Sequence, residues 1–360
     1  MQQVKDKQAM LYWLVSGIVL ILAMVLIGGI TRLTGSGLSI VEWNVISGTL
    51  PPLSEAAWLA AFEKYKQFPE YQKLNFGMTL EGFKQIFWWE YLHRLLGRII
   101  GVVFILPFLY FLLTRQLNRW LLKRLLFILL LGMGQGVMGW IMVKSGLVDN
   151  PHVSHFRLAA HFCLALSLIG VILWTIADLT TTSQQECVPT KLKRLSQLVL
   201  VAIVVQIVLG AFVAGLKAGF SYNTYPLMEG EWFPSHQAEY LIFPDFLENG
   251  AAVQFIHRWM ALAVLLFVTT LTFAARNAAS ETRKRIRLLL YITLLQVVLG
   301  IATLVLAVPI TLGILHQLIA AILFMQSVLV VHQLGSGGRA KTPASTTISH
   351  SAVAEKALQV

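Results

Sequence analysis

Long apolar stretches alternate with short polar ones along this chain. A helix needs about 20 consecutive apolar residues to cross the hydrocarbon core of a bilayer, so each stretch of that length predicts one transmembrane helix. The last two stretches are separated only by a tight turn. The predicted helices span residues 9–30, 87–113, 121–143, 158–179, 195–215, 251–274, 286–307 and 311–332.

The composition excludes a soluble protein. The chain is 57% hydrophobic and 12% charged, whereas soluble domains are about 45–50% apolar and about 25% charged. The net charge of +11 does not indicate a nucleic-acid-binding protein, because the basic residues occur in short runs between apolar stretches. The sequence therefore predicts an all-α polytopic membrane protein with eight transmembrane helices.

The distribution of basic residues predicts the orientation. Of the 28 Lys and Arg residues, 17 lie at the termini or in loops on one side of the predicted membrane. The positive-inside rule then places both termini in the cytoplasm, so that odd-numbered transmembrane helices run outward. The first helix lacks a cleavage site for a signal peptide and no Arg-rich transit peptide precedes it, which favours a bacterial cytoplasmic membrane. The largest internal runs of basic residues are 115–124, 191–194 and 276–287.

Two long outer segments, 31–86 and 216–250, connect the predicted helices. Aromatic residues at helical spacing from Ser54 onward predict a short helix lying in the outer membrane interface. These residues are Trp58, Phe62 and Tyr65. Neither outer segment can form a disulfide, because Cys163 lies in a predicted span and Cys187 in a cytoplasmic loop.

The chain contains an internal repeat. Gly28, Gly37 and Gly48 recur 182 positions later, at Gly210, Gly219 and Gly230. The segment from Glu90 to Arg94 recurs as Gln254 to Arg258, and Gln135 and Gly139 recur as Gln296 and Gly300. Parallel repeats of this kind predict two four-helix bundles related by a pseudo-two-fold axis along the membrane normal. The predicted units are residues 1–179 and 195–332, a cytoplasmic linker 180–194 and an unfolded tail 333–360.

Four of the nine histidines lie inside predicted spans, near the outer end of each even-numbered helix. A single intramembrane histidine often makes a helix-packing hydrogen bond, but four at one depth, two in each half, indicate a function. Two imidazoles on facing helices can ligate a haem iron from both sides. Zinc would need a third or fourth ligand, so two haem sites are the better hypothesis. The pairs are His93 with His161 and His257 with His316.

Charged residues beside the histidines refine this hypothesis. Arginines at the same outer level are candidates to bind haem propionates bidentately, although some could instead extend to lipid headgroups. Glu90 lies one turn before His93, whereas its repeat counterpart Gln254 cannot titrate. The difference predicts proton-coupled chemistry in the first half, unless Glu90 only pairs with Arg94. The candidate arginines are Arg32, Arg94, Arg98, Arg157 and Arg258.

Three sequence features together resemble the haem A synthase family. They are the segment from Gly28 to Ser39, the Glu-x-x-His-Arg motif at 90–94 and the His257-Arg258 pair. The resemblance covers about residues 8–333 and includes all four histidines. It implies an eight-helix membrane enzyme that oxidises haem O to haem A, turning the ring methyl at carbon 8 into a formyl group by successive hydroxylations and loss of water. Some members carry a cysteine pair in an outer loop, and this sequence resembles the branch without it.

The resemblance also implies roles for the site residues. His93 and His161 match the pair facing the substrate haem O, His257 and His316 match the pair holding a b-type haem that relays electrons, and Glu90 matches the family carboxylate. A haem O synthase is implied as an upstream partner, with an unidentified electron donor or acceptor. The chain is expected to contact the lipid bilayer and no nucleic acid, and a homo-oligomer is compatible with the sequence.

The sequence leaves the mechanism open. A haem with two imidazole ligands has no open position, so either one histidine dissociates during turnover or the substrate loses electrons outward and water attacks the activated methyl, with Glu90 as base. A rival function is a di-haem b-type electron-transfer subunit of a quinol-oxidising complex. That hypothesis explains the histidine pairs but not the difference between Glu90 and Gln254, and a transporter would explain only the repeat.

Overall fold

The computed structural model describes residues 2–43, 47–148, 151–181, 188–242 and 244–336, and the fold is all-α. Cys187 and the tail from 337 onward lie outside the described residues. The α-helices are α1 (Gln2–Leu33), α2 (Glu55–Lys66), α3 (Pro69–Lys73), α4 (Leu80–Leu113), α5 (Arg119–Gly146), α6 (His155–Thr180), α7 (Thr190–Gly215), α8 (Gly250–Ala274), α9 (Ser280–Val305) and α10 (Ile310–Ser336).

All eight predicted transmembrane helices are confirmed. In the described residues, eight helices are long and apolar enough to cross a membrane, and each contains one predicted span or nearly all of it. The starts differ most in α1 and α4, which begin at Gln2 and Leu80 rather than at residues 9 and 87. The Thr79 side chain caps α4 by accepting a hydrogen bond from Gly82 N at 3.2 Å. Polar residues such as Glu81 and Lys84 in the added turns hid the true start from a hydropathy-based prediction.

The centre of the bundle consists of α1, α6, α7 and α10, which pack against one another. Fully buried aliphatic side chains fill this centre and its flanks, among them Ile169 on α6 and Ile203 on α7. In contrast, α4 and α5 expose large apolar side chains, such as Leu113 at 80% and Leu130 at 59%. Such a surface has no favourable contact with water, and it fits the acyl chains of a bilayer.

The ends of α1 and α7, which correspond in the internal repeat, both contain a residue with left-handed backbone. Gly35 has a left-handed φ of 66°, and Ser36 N and Gly35 N bond the carbonyls of Thr31 and Arg32 at 2.8 and 3.2 Å. This is the Schellman arrangement, for which glycine is best suited because it has no Cβ. At the corresponding end of α7, Lys217 occupies the left-handed position with a φ of 54°. The chain therefore turns in the same way after both helices.

The outer helix predicted from Ser54 is confirmed as α2, and the Ser54 side chain accepts a hydrogen bond from Ala57 N at 3.2 Å. Its aromatic face, however, packs against α4 instead of facing outward. Phe62 and Tyr65 are 5% and 0% exposed, and both rings contact Phe83 at centroid distances of 5.1 and 5.2 Å. The outer segment is therefore fixed to the transmembrane bundle by an aromatic cluster.

A carboxyl group is buried beneath this cluster. Glu70 on α3 is 6% exposed, and its Oε2 has no hydrogen-bond partner among the described residues. Burial, together with the negative charge of Glu90, raises the pKa of the Glu70 carboxyl from 4.5 to about 7, despite the opposing effects of Tyr65 and Lys217. The folded protein therefore loses stability as the pH rises from about 4.5 through about 7, because the neutral acid must then ionise in a buried place.

We expect Glu70→Gln to raise the thermal unfolding temperature at pH 8 and to leave it nearly unchanged at pH 5. The stabilisation at pH 8 is on the order of 3 kcal/mol for a pKa raised this far. Thermal unfolding of purified protein, followed by tryptophan fluorescence at both pH values, measures it. Glu55→Gln is the matched control, since Glu55 is an exposed carboxylate on the same outer segment. Destabilisation by Glu70→Gln at both pH values would contradict the prediction.

A second polar cluster lies at the opposite end of the bundle. His332 on α10 is 5% exposed, and its Nε2 lies 2.8 Å from Asp178 Oδ1 on α6. Arg124 on α5 approaches the other oxygen of Asp178 at 3.4 Å. The cluster links α5 and α6 to α10, and sequence reasoning assigned His332 nothing.

Candidate functional site

The four intramembrane histidines lie on α4, α6, α8 and α10, as predicted. Three of them follow the start of their helix within two turns, whereas His93 lies further along because α4 begins earlier. His93 and His161 are close enough to interact electrostatically, and so are His257 and His316. The structure thus brings the histidines together in the two predicted pairs.

Each histidine ring lies against a glycine on a neighbouring helix. The glycines are Gly28 on α1, Gly139 on α5, Gly210 on α7 and Gly300 on α9, facing His93, His161, His257 and His316 respectively. A methyl group at these positions would lie only 2.9 to 3.5 Å from the nearest ring atom. At Gly28, Gly210 and Gly300 the backbone therefore approaches the imidazole more closely than a larger residue would allow, whereas at Gly139 a Cβ would make an ordinary contact of 3.5 Å.

The histidine rings fit a haem iron. Nδ1 of His161, His257 and His316 is buried without a hydrogen-bond partner, and a buried imidazole nitrogen without a partner costs free energy unless a ligand satisfies it. No cluster of three or more His, Cys, Asp or Glu residues suited to a metal ion occurs within the described residues. Two imidazoles without a third ligand suit a haem better than zinc.

Glutamine side chains hold three of the four histidines. Gln206 on α7 donates a hydrogen bond from Nε2 to the His257 carbonyl at 3.0 Å and lies 3.4 Å from Nε2 of the ring. Gln296 on α9 makes the same two contacts with His316, at 3.1 and 3.4 Å. These amides fix both the main chain and the ring of each second-half histidine.

The first half holds its histidines less firmly. Gln135 on α5 lies 3.3 Å from His161 Nε2, and the structure records no bond from it to the His161 carbonyl. At the repeat position of Gln206, the first half has Met24, four residues before Gly28. The thioether of Met24 cannot donate a hydrogen bond to His93. Each second-half histidine thus has two contacts with a glutamine amide. His161 has one such contact, and Met24 provides none to His93.

Sequence reasoning missed Gln206 and Met24. It noted the pairs Gln135 with Gly139 and Gln296 with Gly300, but it did not extend the pattern to α1 and α7. The available signal was the spacing Gln-x-x-x-Gly, which places both residues on one helix face and also occurs as Gln206 to Gly210.

Glu90 on α4 is 3% exposed and fully hydrogen-bonded. Its Oε2 accepts from Ser39 Oγ at 2.7 Å and from Ile40 N at 2.8 Å, and its Oε1 accepts from Arg94 at 2.6 and 3.1 Å. All these partners donate, which is the arrangement that an ionised carboxylate requires. The pairing of Glu90 with Arg94, held open from sequence, is present together with contacts that the sequence did not reveal.

In the second half, Gln254 occupies the place of Glu90 and donates hydrogen bonds where Glu90 accepts them. Gln254 is also 3% exposed, but its Nε2 donates to the carbonyls of Ala218 and Ser221 at 2.8 and 2.6 Å. Its Oε1 accepts from Arg258 at 3.0 Å, as Glu90 accepts from Arg94. The second half is therefore built around a neutral amide, and the first half around a carboxylate.

Two of the candidate propionate-binding arginines also bond main-chain carbonyls of the outer segments. Arg94 donates to Ile40 O and Glu42 O, both at 2.7 Å, and its guanidinium lies 4.8 Å from the Trp43 ring centroid. Arg258 donates to the repeat counterparts of these carbonyls, Tyr222 O at 2.6 Å and Thr224 O at 2.8 Å. Both arginines thus anchor the outer segment above their histidine.

The other three arginines differ in their surroundings. Arg32 donates to Ala214 O at 2.7 Å, which joins the C-terminal ends of α1 and α7. Arg157 is exposed near the start of α6, and Arg98 lies one turn beyond Arg94 on α4. Contact with a propionate stays a prediction for all five.

Comparison with known proteins identifies relatives over nearly the whole chain. Residues 11–328 match the family described as cytochrome oxidase assembly protein. The chain is 46% identical to a haem A synthase of Nitrosospira multiformis over 330 residues, which cover 89% of this chain and 92% of that protein. It is 42% identical to a haem A synthase of Flavobacterium psychrophilum, with 91% and 99% covered, and 45% identical to one of Bradyrhizobium diazoefficiens, with 93% and 94% covered.

Proposed function

The chain belongs to the cytochrome oxidase assembly protein family that these haem A synthases represent, and we propose how its two halves share that activity. It is a bacterial membrane oxidoreductase that converts haem O to haem A, downstream of haem O synthase. In our proposal, His93 and His161 bind the substrate haem O. His257 and His316 hold a b-type haem that remains in the protein between turnovers.

The glutamine contacts carry this assignment. A resident haem benefits from ligands with fixed positions, and both second-half histidines have an amide on the main chain and on the ring. A substrate must enter and its product must leave, and the first-half histidines have fewer such contacts. Since groups that bond a ligating histidine fix its orientation, the two halves are suited to different residence times.

The b-type haem would supply one-electron transfer at the second-half pair.

We propose that residues 1–179 and 195–332 form two pseudo-symmetric four-helix bundles with a linker at 180–194. The matching contacts of Arg94 and Arg258 with the outer segments support this division. We retain the orientation with both termini in the cytoplasm, which places the histidines toward the outer side.

Glu90 is proposed as the group that accepts a proton when the ring methyl of haem O is oxidised. Oxidation of a methyl group releases protons as well as electrons, and an acceptor near the reacting carbon accelerates such a step. Glu90 lies one turn before His93, it is buried, and its counterpart Gln254 cannot accept a proton at neutral pH. Ser39 and Ile40 hold the carboxylate in place, which makes them positioning residues.

Pigment extraction tests the proposed function against the di-haem electron carrier. We expect membranes containing this chain to yield haem A, or its hydroxylated precursor, only when a haem O synthase is expressed in the same cells. With an electron carrier of a quinol-oxidising complex, the same membranes would yield haem B, and haem O once haem O synthase is expressed, but no haem A or hydroxylated precursor above the control. Membranes without this chain are the control for haem A from the host.

A further inference from the structure

Each of the four histidines faces a glycine, and in three of these four described pairs a glutamine holds the histidine. In the fourth pair, that of His93 with Gly28, the corresponding position is Met24. In the other three, a glutamine precedes the glycine by four residues and contacts the histidine. Met24 precedes Gly28 by the same spacing, and Gly28 lies against His93 Nε2. The Met24 methyl group is directed toward α4, 3.4 Å from the position of a Cβ on Gly97, one turn beyond His93. Met24 therefore lies on the helix face where the amide would be.

We propose that Met24 makes His93 the exchangeable ligand of the substrate site. Without an amide on its carbonyl or ring, His93 is the histidine that leaves the haem iron, while His161, His257 and His316 stay in place. The step breaks the bond between iron and the His93 nitrogen and changes no oxidation state. This inference rests on the proposed function, because it takes His93 to be a ligand of haem O.

The chemistry of methionine supports a release function. A thioether is a weak acceptor with no donor, and its unbranched chain adapts to different arrangements of its neighbours. Gln206 makes one hydrogen bond with the His257 main chain and one contact with its ring, and a net hydrogen bond stabilises by about 1 kcal/mol. Without these two contacts, the His93 ring can turn away from its position at a lower cost in free energy. Release of His93 would open one face of the substrate haem, or allow the product to leave.

Carbon monoxide binding to the reduced enzyme loaded with haem O tests the proposal, since it reports a haem that has lost one axial ligand. We expect haem O in the unaltered protein to bind carbon monoxide and the resident haem to resist it. Met24→Gln introduces the amide, and it should slow binding to haem O about fivefold, as one added hydrogen bond of about 1 kcal/mol would. The reciprocal change Gln206→Met should make the resident haem reactive toward carbon monoxide.

Met24→Leu is the matched control, because it keeps the size and apolar character and also lacks an amide. It should bind carbon monoxide at the unaltered rate. If Met24→Gln binds as fast as the unaltered protein, or if Met24→Leu is as slow as Met24→Gln, the proposal is wrong. His93→Ala separates this failure from a failure of the proposed function. If His93→Ala leaves the haem O spectrum unchanged, His93 is not its ligand and the substrate site has been misassigned.

Discussion

Replacing Glu90 with Gln is expected to lower haem A formation by about a hundredfold or more while the resident haem is retained. That magnitude is typical for removal of a group that accepts a proton in the rate-limiting step. Haem O should still bind, because its proposed ligands His93 and His161 are unchanged. The measurement is the ratio of haem A to haem O and hydroxylated intermediate in membranes with matched expression.

Glu90→Gln also changes the hydrogen bonds around residue 90. Gln has nearly the size of Glu, but it cannot keep all the hydrogen bonds that Glu90 makes. In the structure, Ile40 N and Ser39 Oγ donate to Oε2 while Arg94 donates to Oε1. An amide that accepts from Arg94 directs its own N–H groups at the Ile40 N–H, and an unsatisfied buried donor costs about 1–3 kcal/mol. We therefore expect the variant to unfold at a lower temperature as well as to lose turnover.

Ser39→Ala separates the loss of stability from the loss of turnover. It removes one hydrogen bond to the same oxygen at 2.7 Å and leaves the carboxylate. This variant should lose stability comparable to Glu90→Gln but keep turnover within about tenfold, as expected for loss of one positioning hydrogen bond. A wild-type ratio of haem A to haem O in Glu90→Gln would show that Glu90 only pairs with Arg94.

The sequence was sufficient for the transmembrane fold because hydropathy and repetition are properties of residue type. The eight spans, the outer helix α2 and the pairing of histidines across helices follow from apolar length, aromatic spacing and the position of each His on its helix. The packing of Phe62 and Tyr65 onto α4 did not follow, since an aromatic stripe fits lipid and protein equally well.

The hydrogen bonds of the site were less predictable. Besides Glu90 and Gln254, the observed partners of Arg94 and Arg258 are main-chain carbonyls, which every residue carries and which no sequence motif marks. The amide contacts of Gln206 and Gln296 depend on the same kind of acceptor. Residue identity therefore revealed the donors, and only the backbone path revealed what they bind.

Replacing His257 or His316 with Ala is expected to remove the low-spin b-type haem from the purified protein and to abolish haem A formation. In our proposal both rings would hold the b-type haem, and no group of three or more candidate metal ligands includes this pair in the described residues. Absorption spectra of the reduced protein and extraction of the bound haem measure the loss. His236→Ala is the control, because His236 is an exposed histidine of the outer segment, where its ring Nε2 lies 3.4 Å from the Tyr222 hydroxyl.

A milder substitution covers the case in which loss of a histidine prevents folding. A methyl group at Gly300 would lie 2.9 Å from His316 Cε1, so Gly300→Ala should displace the ring and weaken binding of the resident haem without removing a ligand. Gly136→Ala is the matched control, since a Cβ there meets nothing within 4 Å and alanine favours a helix over glycine by about 1 kcal/mol. We expect Gly300→Ala to shift the low-spin spectrum and lower haem content while Gly136→Ala changes neither. If both histidine variants and Gly300→Ala retain an unaltered b-type spectrum, this pair is not the resident site.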